Sequence, residues 1–240
     1  MSAIAAAQPV IPDFGRGSTC VRENGTFCWD WVSAHWDDTL RPALVQHVAL
    51  TLIAIAVGFA IAFALALTAH RRGWLTTPVV LLTGLLYTIP SLALFQLLVP
   101  FTGLSRTTAE VALVSYTLLI LFRNTLAGLA GVPEEVRDAA RGMGLTRRQL
   151  LWKVELPLAL PAIVAGLRIA TVTVISLATV AVFVVDQGLG APIYAGLQQT
   201  FKTELIAAGA LCVALALAAD GLLVLVQRAL TPWTRVARSR

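Results

Sequence analysis

Residues 42–70 read PALVQHVALTLIAIAVGFAIAFALALTAH, a continuous stretch without Asp, Glu, Lys or Arg. A second charge-free stretch covers residues 73–105. A helix rises about 1.5 Å per residue, so about 20 residues cross a hydrocarbon core of about 30 Å. Each stretch therefore predicts one membrane-spanning helix, and we place these two helices at residues 45–68 and 78–99.

Three further apolar segments contain isolated charges, at residues 109–130, 159–185 and 205–226. Of the 240 residues, 58% are hydrophobic and 13% are charged, against about 45–50% and about 25% in soluble domains. This composition disfavours a soluble enzyme, a disordered chain and a secreted disulfide scaffold. The predicted fold class is an all-α polytopic membrane protein with about five transmembrane helices.

The distribution of Lys and Arg predicts the orientation. If the N-terminus lies outside, eleven Lys and Arg residues fall on the inner side and five on the outer side. Inner loops carry the basic excess in membrane proteins, so we expect the N-terminus outside and the C-terminus inside. Residues 1–44 then form an extracytoplasmic tail, 45–228 the transmembrane domain and 229–240 a basic cytoplasmic tail. Because topology accounts for the net charge of +5, no nucleic-acid partner is expected.

The predicted outer tail contains two cysteines, Cys20 and Cys28, on either side of Asn24-Gly25. Asn-Gly favours a two-residue hairpin turn, and an oxidising compartment would allow a Cys20–Cys28 disulfide. Two unlinked thiols in a mobile tail fit the sequence equally well. The tryptophans that follow are expected at the membrane surface rather than in a ligand cage; they are Trp29, Trp31 and Trp36.

The sequence lacks the common catalytic motifs. It has no Gly-Lys pair, so the phosphate-binding P-loop is absent. Its three histidines are isolated, and there is no Gly-x-Ser-x-Gly nucleophile elbow. We therefore expect a non-catalytic chain with no metal site and no cofactor of its own.

The loop between the third and fourth predicted spans, residues 132–157, has the pattern of two short helices. Pro133 suits a first helical turn, and two glycines then interrupt the helix. Thr146 and Gln149 have the spacing of a capping box for a second helix. Three interpretations fit this pattern of two short helices: a DNA-binding helix-turn-helix, a merely structural loop and a partner-binding segment. The membrane spans on both sides disfavour DNA binding. The first helix would place four small or apolar residues on one side: Val136, Ala139, Ala140 and Met143.

The same loop contains the pattern D-A-A-x3-G-x9-V-x-L-P, formed by Asp138, Ala139, Ala140, Gly144, Val154, Leu156 and Pro157. It resembles the EAA loop of ABC-importer permeases, E-A-A-x3-G-x9-I-x-L-P, with Asp in place of Glu and Val in place of Ile. In that family the loop forms a coupling helix seated in a cleft of a cytoplasmic ATPase subunit. The resemblance implies that role for these seven residues, and it agrees with the predicted inner position of the loop.

Three more segments are similar to permeases for glycine betaine, carnitine and choline: residues 87–93, 123–125 and 188–190. The resemblance covers about residues 45–228 and implies a permease subunit of an ATP-driven importer in the bacterial cytoplasmic membrane. It implies a second permease subunit, an extracytoplasmic solute-binding protein and contact with membrane lipid. ATP and Mg²⁺ would bind a separate ATPase. One alternative is a permease of the same architecture that carries methionine or a sulfonate. The other is an ATP-independent carrier.

Two charges fall inside predicted spans. Arg168 lies in the fourth and Asp220 in the fifth. A charge at the bilayer centre costs about 2.5–3.5 kcal/mol on insertion scales. We expect the two side chains to pair with each other and lock the packing; contact with the solute is the other interpretation.

Residues of the second and third spans are candidates for lining the path. Quaternary ammonium ions bind the faces of aromatic rings, although aromatic residues in spans more often face lipid or the core. Pro90 would introduce a kink. The candidates are Tyr87, Pro90, Phe95 and Tyr116.

Overall fold

A computed structural model describes residues 18–232 of the chain, and their regular structure is helical throughout. The beginning of the predicted outer tail, residues 1–17, and most of the predicted basic tail, residues 233–240, lie outside the described residues. The α-helices are α1 (Thr19–Arg22), α2 (Trp29–Ala34), α3 (Arg41–Arg71), α4 (Thr76–Thr88), α5 (Ser91–Thr102), α6 (Arg106–Ala130), α7 (Glu134–Gly142), α8 (Arg147–Leu150), α9 (Leu156–Ala178), α10 (Gly190–Gln198) and α11 (Lys202–Leu230). Short π-helical segments precede α3 (Trp36–Leu40) and α9 (Leu151–Glu155), and 3₁₀ turns precede α4 (Gly73–Leu75) and follow α9 (Val180–Phe183).

Four helical segments in the described part of the chain are long and apolar enough to cross a membrane. They contain α3, α6, α9 and α11. The fifth candidate is the pair α4 and α5, which meet at an angle of 99°. The all-α class with four to five spans is therefore as predicted, while α9 ends at Ala178, short of the expected residue 185.

The span predicted over residues 78–99 is broken at Pro90, where a kink was expected, and the bend is large, 99°. α4 ends at Thr88, Ile89 is extended with ψ 128°, and α5 begins after Pro90. Proline has no N–H to donate and disfavours helical geometry in the residue before it. The hydroxyl of Tyr116 donates to the carbonyl oxygen of Ile89, which supplies a partner for a backbone group left without one at the break.

Close backbone packing holds α3, α6 and α9 together. A Cβ added at Gly58 of α3 would collide with Thr117 of α6, and a Cβ added at Gly166 of α9 would lie 2.5 Å from the Cβ of Asn124. Small residues allow this approach, which is the usual basis of helix association in membranes. Alanines fill the same interfaces: Ala54, Ala62, Ala66, Ala109, Ala112 and Ala170.

A buried histidine fixes the segment between α9 and α10. His47 of α3 is 0% exposed. The N–H of Leu189 donates to its Nδ1 at 3.1 Å, and its Nε2 lies 3.0 Å from the carbonyl oxygen of Ile175. These partners require the neutral tautomer with the proton on Nε2. Gly188, with φ +77°, lies against the ring, which gives a structural reason for the glycine in the segment 188–190.

The described part of the N-terminal tail is cross-linked but does not form the expected hairpin. Cys20 and Cys28 are joined by a disulfide, and the segment between them begins with the helical turn α1. Asn24 has φ 50°, whereas Gly25 does not have a positive φ. A type I′ hairpin turn requires positive φ at both positions, so the strand pairing predicted from Asn-Gly is wrong.

The disulfide-linked segment is bound to the turn between α10 and α11. The Asn24 amide donates to the carbonyl oxygen of Thr200 at 2.7 Å and accepts from the N–H of Lys202 at 3.1 Å. Trp31 packs edge-on against Phe201 with ring centroids 5.2 Å apart. The described part of the tail is therefore folded onto the helical bundle.

We predict that Gly166→Ala destabilises the bundle because its Cβ would overlap Asn124. Overpacking costs about 1–3 kcal/mol, so the midpoint of thermal unfolding in detergent should fall. The matched control is Gly209→Ala, in α11, where an added Cβ meets nothing within 4 Å. Equal midpoints for the two variants would contradict the close-packing interpretation.

Candidate functional site

The loop between α6 and α9 is built around a glycine that ends α7. Gly144 has φ +83°, in the left-handed region that favours glycine. The N–H of Leu145 donates to the carbonyl oxygen of Ala140 at 3.2 Å, and that of Gly144 to Arg141 at 2.9 Å. This pair of bonds is the Schellman motif that terminates helices. The glycine of the EAA-like pattern thus fixes where the first helix stops.

The second half of the loop begins at a capping box. The Thr146 hydroxyl accepts from the N–H of Gln149 at 3.3 Å, and the Gln149 side chain accepts from the N–H of Thr146 at 2.9 Å. Both bonds have the arrangement expected from the sequence. Leu156 and Pro157 form the first turn of α9, and Leu156 packs against the buried cluster that contains Leu129 and Ile163. Together with the partly buried Val154, these pattern residues shape the loop.

The surface of α7 is exposed, except at Ala140 and at the partly buried Arg137. Asp138 and Ala139 are exposed, as are Val136 and Met143, the latter 74%. Ala140 is 2% exposed. The Ala140 side chain is therefore buried within this chain in this conformation and is not part of the exposed surface of α7, and a contact of Ala140 with an ATPase stays a prediction.

The charges of α7 pair mostly within the helix. Arg141 lies 2.8 Å from both Glu134 and Asp138, and Arg137 lies 3.1 Å from Glu134. Hydrogen bonds from Arg137 and Arg141 lower the pKa of the Glu134 carboxyl, and the bond to Glu134 raises the pKa of the Arg141 guanidinium. Arg141 is therefore occupied within α7 in this conformation.

Sequence reasoning missed three residues that connect the loop to the spans. Arg137 Nε lies 3.0 Å from Glu155 Oε1, and Glu155 Oε2 lies 3.2 Å from His70 Nε2. The available signal was Glu155 itself, an acidic residue between Val154 and Leu156 in an apolar stretch. It stands at a position that the family pattern leaves open, so the resemblance did not single it out.

The two intramembrane charges meet. Arg168 Nε donates to Asp220 Oδ1 at 2.8 Å, and its Nη2 donates to Oδ2 at 3.0 Å. This two-pronged geometry joins α9 to α11 and is the strongest form of the Arg–carboxylate bond. Both side chains are about one-third exposed, at 33% and 35%. An open groove adjoins them, lined also by Ala165, Ile169, Val172 and Thr173.

The four candidate path-lining residues separate into two pairs. Phe95 and Tyr116 are 0% and 4% exposed within one core cluster, so the expectation that they line a path is wrong for this conformation. Their rings fill the junction of α5 and α6. Tyr87 is 40% exposed and lies edge-on to Tyr116 at 5.9 Å. Pro90 is exposed at the break between α4 and α5.

Comparison with solved structures gives the fold. The chain is similar to the MetNI methionine ABC transporter in inward-facing conformations, with a TM-score of 0.72 and 23% sequence identity. The match covers 83% of this chain and 98% of that chain. At this identity the likeness shows a shared fold.

Comparison of sequences gives the family. The choline transport system permease protein OpuBB of Bacillus subtilis is 35% identical over 78% of this chain and 86% of its own length. The glycine betaine/carnitine/choline transport system permease protein OpuCB of the same organism is 36% identical over the same shares. The family described as binding-protein-dependent transport system inner membrane component matches residues 54–236. The chain belongs to this family, the membrane-embedded permease subunits of ABC importers.

Proposed function

We propose that this permease subunit moves a quaternary ammonium osmoprotectant, such as glycine betaine, choline or carnitine, across the cytoplasmic membrane. The observation that carries the choice of solute is its identity to permeases named for these solutes, 35% and 36% over 78% of the chain. An extracytoplasmic binding protein delivers the solute. A second permease subunit, identical or homologous, completes the path, because one chain of about five spans does not enclose a hydrophilic channel.

The loop containing α7 and α8 docks on a separate ATPase. Its exposed small and apolar surface, which includes Val136, Ala139 and Met143, supports this role because a partner can approach it closely. The excess of Lys and Arg on this side of the predicted topology supports an inner, cytoplasmic position. ATP and Mg²⁺ bind the ATPase, and this chain contributes no catalytic residue.

ATP binding drives the transport cycle by changing the shape of the permease pair. The ATPase closes on ATP, the docked loop moves with it, and the permease pair changes from inward-facing to outward-facing. Such a switch requires two packings of the same helices whose balance the ATPase shifts. The Arg168–Asp220 pair acts within this packing by holding α11 on α9.

Transport of methionine or a sulfonate is the second candidate, with the same architecture. The structural similarity to the methionine transporter, at 23% identity, shows a shared fold and is no evidence about the transported solute. An ATP-independent carrier is disfavoured because it would be expected to show paired broken helices in two repeated halves. The described residues contain one broken helix, α4 with α5, and no second broken helix to match it.

The decisive experiment measures uptake in a strain that lacks its other osmoprotectant transporters. The chain is expressed with its ATPase, permease partner and binding protein, and labelled glycine betaine, choline, carnitine and methionine are supplied. We expect uptake of at least one quaternary ammonium compound, and loss of that uptake when either the ATPase or the binding protein is removed. Uptake that persists without the ATPase would support a carrier, and uptake of methionine alone would reject the proposed solute.

The end of α7 provides a test of the coupling role. Gly144→Ala places a Cβ at φ +83°, and left-handed geometry costs a residue with a side chain about 1–2 kcal/mol. We expect slower ATP-dependent uptake, because the exposed face of α7 shifts relative to the ATPase. Gly142→Ala is the control, since it lies two residues away, has no positive φ and meets nothing within 4 Å. Equal uptake by the two variants would contradict this role of Gly144.

The intramembrane pair provides a test of packing. Arg168→Asp leaves two carboxylates facing each other at bilayer depth, and Asp220→Arg leaves two guanidinium groups. Each single variant replaces an attractive contact by a like-charge contact inside a span, where an unpaired charge is costly, so each should lose transport and stability in detergent. The double reversal should recover both, measured by uptake and by thermal unfolding. Failure of the double variant to recover would show that the charges act separately.

A further inference from the structure

A buried ion pair joins α7 to the membrane helices. Glu155 ends the π-helical segment before α9 and its side chain is 9% exposed, while Arg137 of α7 is 15% exposed. Their nearest charged atoms are 3.0 Å apart. The second carboxylate oxygen of Glu155 is 3.2 Å from His70 at the end of α3, and Arg137 also donates to the carbonyl oxygen of Leu129 in α6 at 2.8 Å. Four helices thus meet at one carboxylate and one guanidinium.

The rest of α7 makes few side-chain contacts with the bundle. Of its residues, all of which the structure describes, Ala140 alone is buried. The other charged pairs of the helix, formed by Glu134, Asp138 and Arg141, are internal to it and exposed. The Arg137–Glu155 contact is an ion pair at 3.0 Å without hydrogen-bond geometry, whereas the bond from Arg137 to the Leu129 carbonyl is directional. Removing one partner of a poorly solvated ion pair leaves the other charge uncompensated, which is costly. Arg137 therefore supplies the principal polar restraint on how α7 lies against α6 and α9.

We propose that Arg137 and Glu155 are positioning residues that make α7 and the start of α9 move as one rigid body. The inference rests on the proposed function, in which α7 receives the movement of the ATPase. Glu155 precedes the first turn of α9, so a displacement of α7 passes directly to a membrane span. His70 connects the same carboxylate to α3 and extends the movement to a second span.

The test replaces the ion pair by a covalent bridge in the complete transporter. Arg137→Cys and Glu155→Cys are combined with Cys212→Ala, and the complex with its ATPase, permease partner and binding protein is reconstituted in proteoliposomes. Cys20 and Cys28 are joined to each other and do not react. Before bridging, we expect the amount of glycine betaine moved per ATP hydrolysed to fall by about 2- to 30-fold, which is the range for residues that carry coupling. The amount of ATPase that co-purifies with the permease should not change. A short bis-maleimide between the two thiols should restore the ratio.

A second set of variants, with the two charges reversed, is used if the transporter with the two introduced cysteines does not assemble. Arg137→Glu and Glu155→Arg should each lower the ratio of solute to ATP, and the double reversal should raise it again. The control is Glu110→Gln, which removes an exposed ion pair of similar length, 2.7 Å to Arg106, within α6. That control should leave the ratio unchanged, because both partners belong to one helix.

Two outcomes would overturn the rigid connection. One is an unchanged ratio of solute to ATP in the unbridged cysteine pair and in the single charge reversals. The other is loss of transport on bridging, which would show that α7 must slide past α9. If the unsubstituted complex moves no osmoprotectant on ATP, the proposed function itself fails; if it does and the variants match it, only the connection fails.

Discussion

The fold depends on how closely the backbones of α3 and α9 approach α6. In a bilayer, apolar side chains gain little by leaving lipid for protein, so helices associate through close packing and hydrogen bonds. Gly58 and Gly166 stand where an added side-chain carbon would strike α6. Their positions set the spacing of the three helices, and the remaining elements are arranged around them. The end of α6 supplies the Leu129 carbonyl to Arg137, so the geometry of the loop follows from the same packing.

The break between α4 and α5 shows how a membrane chain accommodates a proline. Hydrocarbon offers no hydrogen bonds, so a backbone group freed inside a span must find a partner in the protein. Tyr116 provides it from α6 to the carbonyl of Ile89. Its ring is buried in the core cluster, so an aromatic residue that was a candidate for facing a solute instead bonds to the backbone at the bend. The exposed Tyr87 lies edge-on to the Tyr116 ring at 5.9 Å, so an exposed aromatic side chain adjoins the bend.

The sequence was sufficient for features that depend on composition and local pattern. Charge-free length located α3, and the spacing of Thr146 and Gln149 indicated the cap of α8. It was not sufficient where geometry depends on distant partners. Pro90 indicated a kink, but hydropathy is the same for a straight span and for a bend of 99°. Asn24-Gly25 does not form a hairpin turn; instead, the Asn24 side chain bonds to the backbone of Thr200 and Lys202, which are far away in the chain. Glu155 was missed because its partners lie on α7 and α3.

The EAA-like pattern contains residues of two kinds, and the structure separates them. Gly144, Leu156 and Pro157 determine where helices end and begin, and Ala140 is the buried residue of α7, so these positions are constrained by the fold of this chain. Asp138 and Ala139 are exposed and have no such constraint from within. The Asp138 carboxylate reaches Arg141 three residues on at 2.8 Å, so the shorter acid already has an internal partner. The departure from the family pattern at this position therefore lies on the exposed face of α7, away from the glycine turn and the capping box that shape the loop.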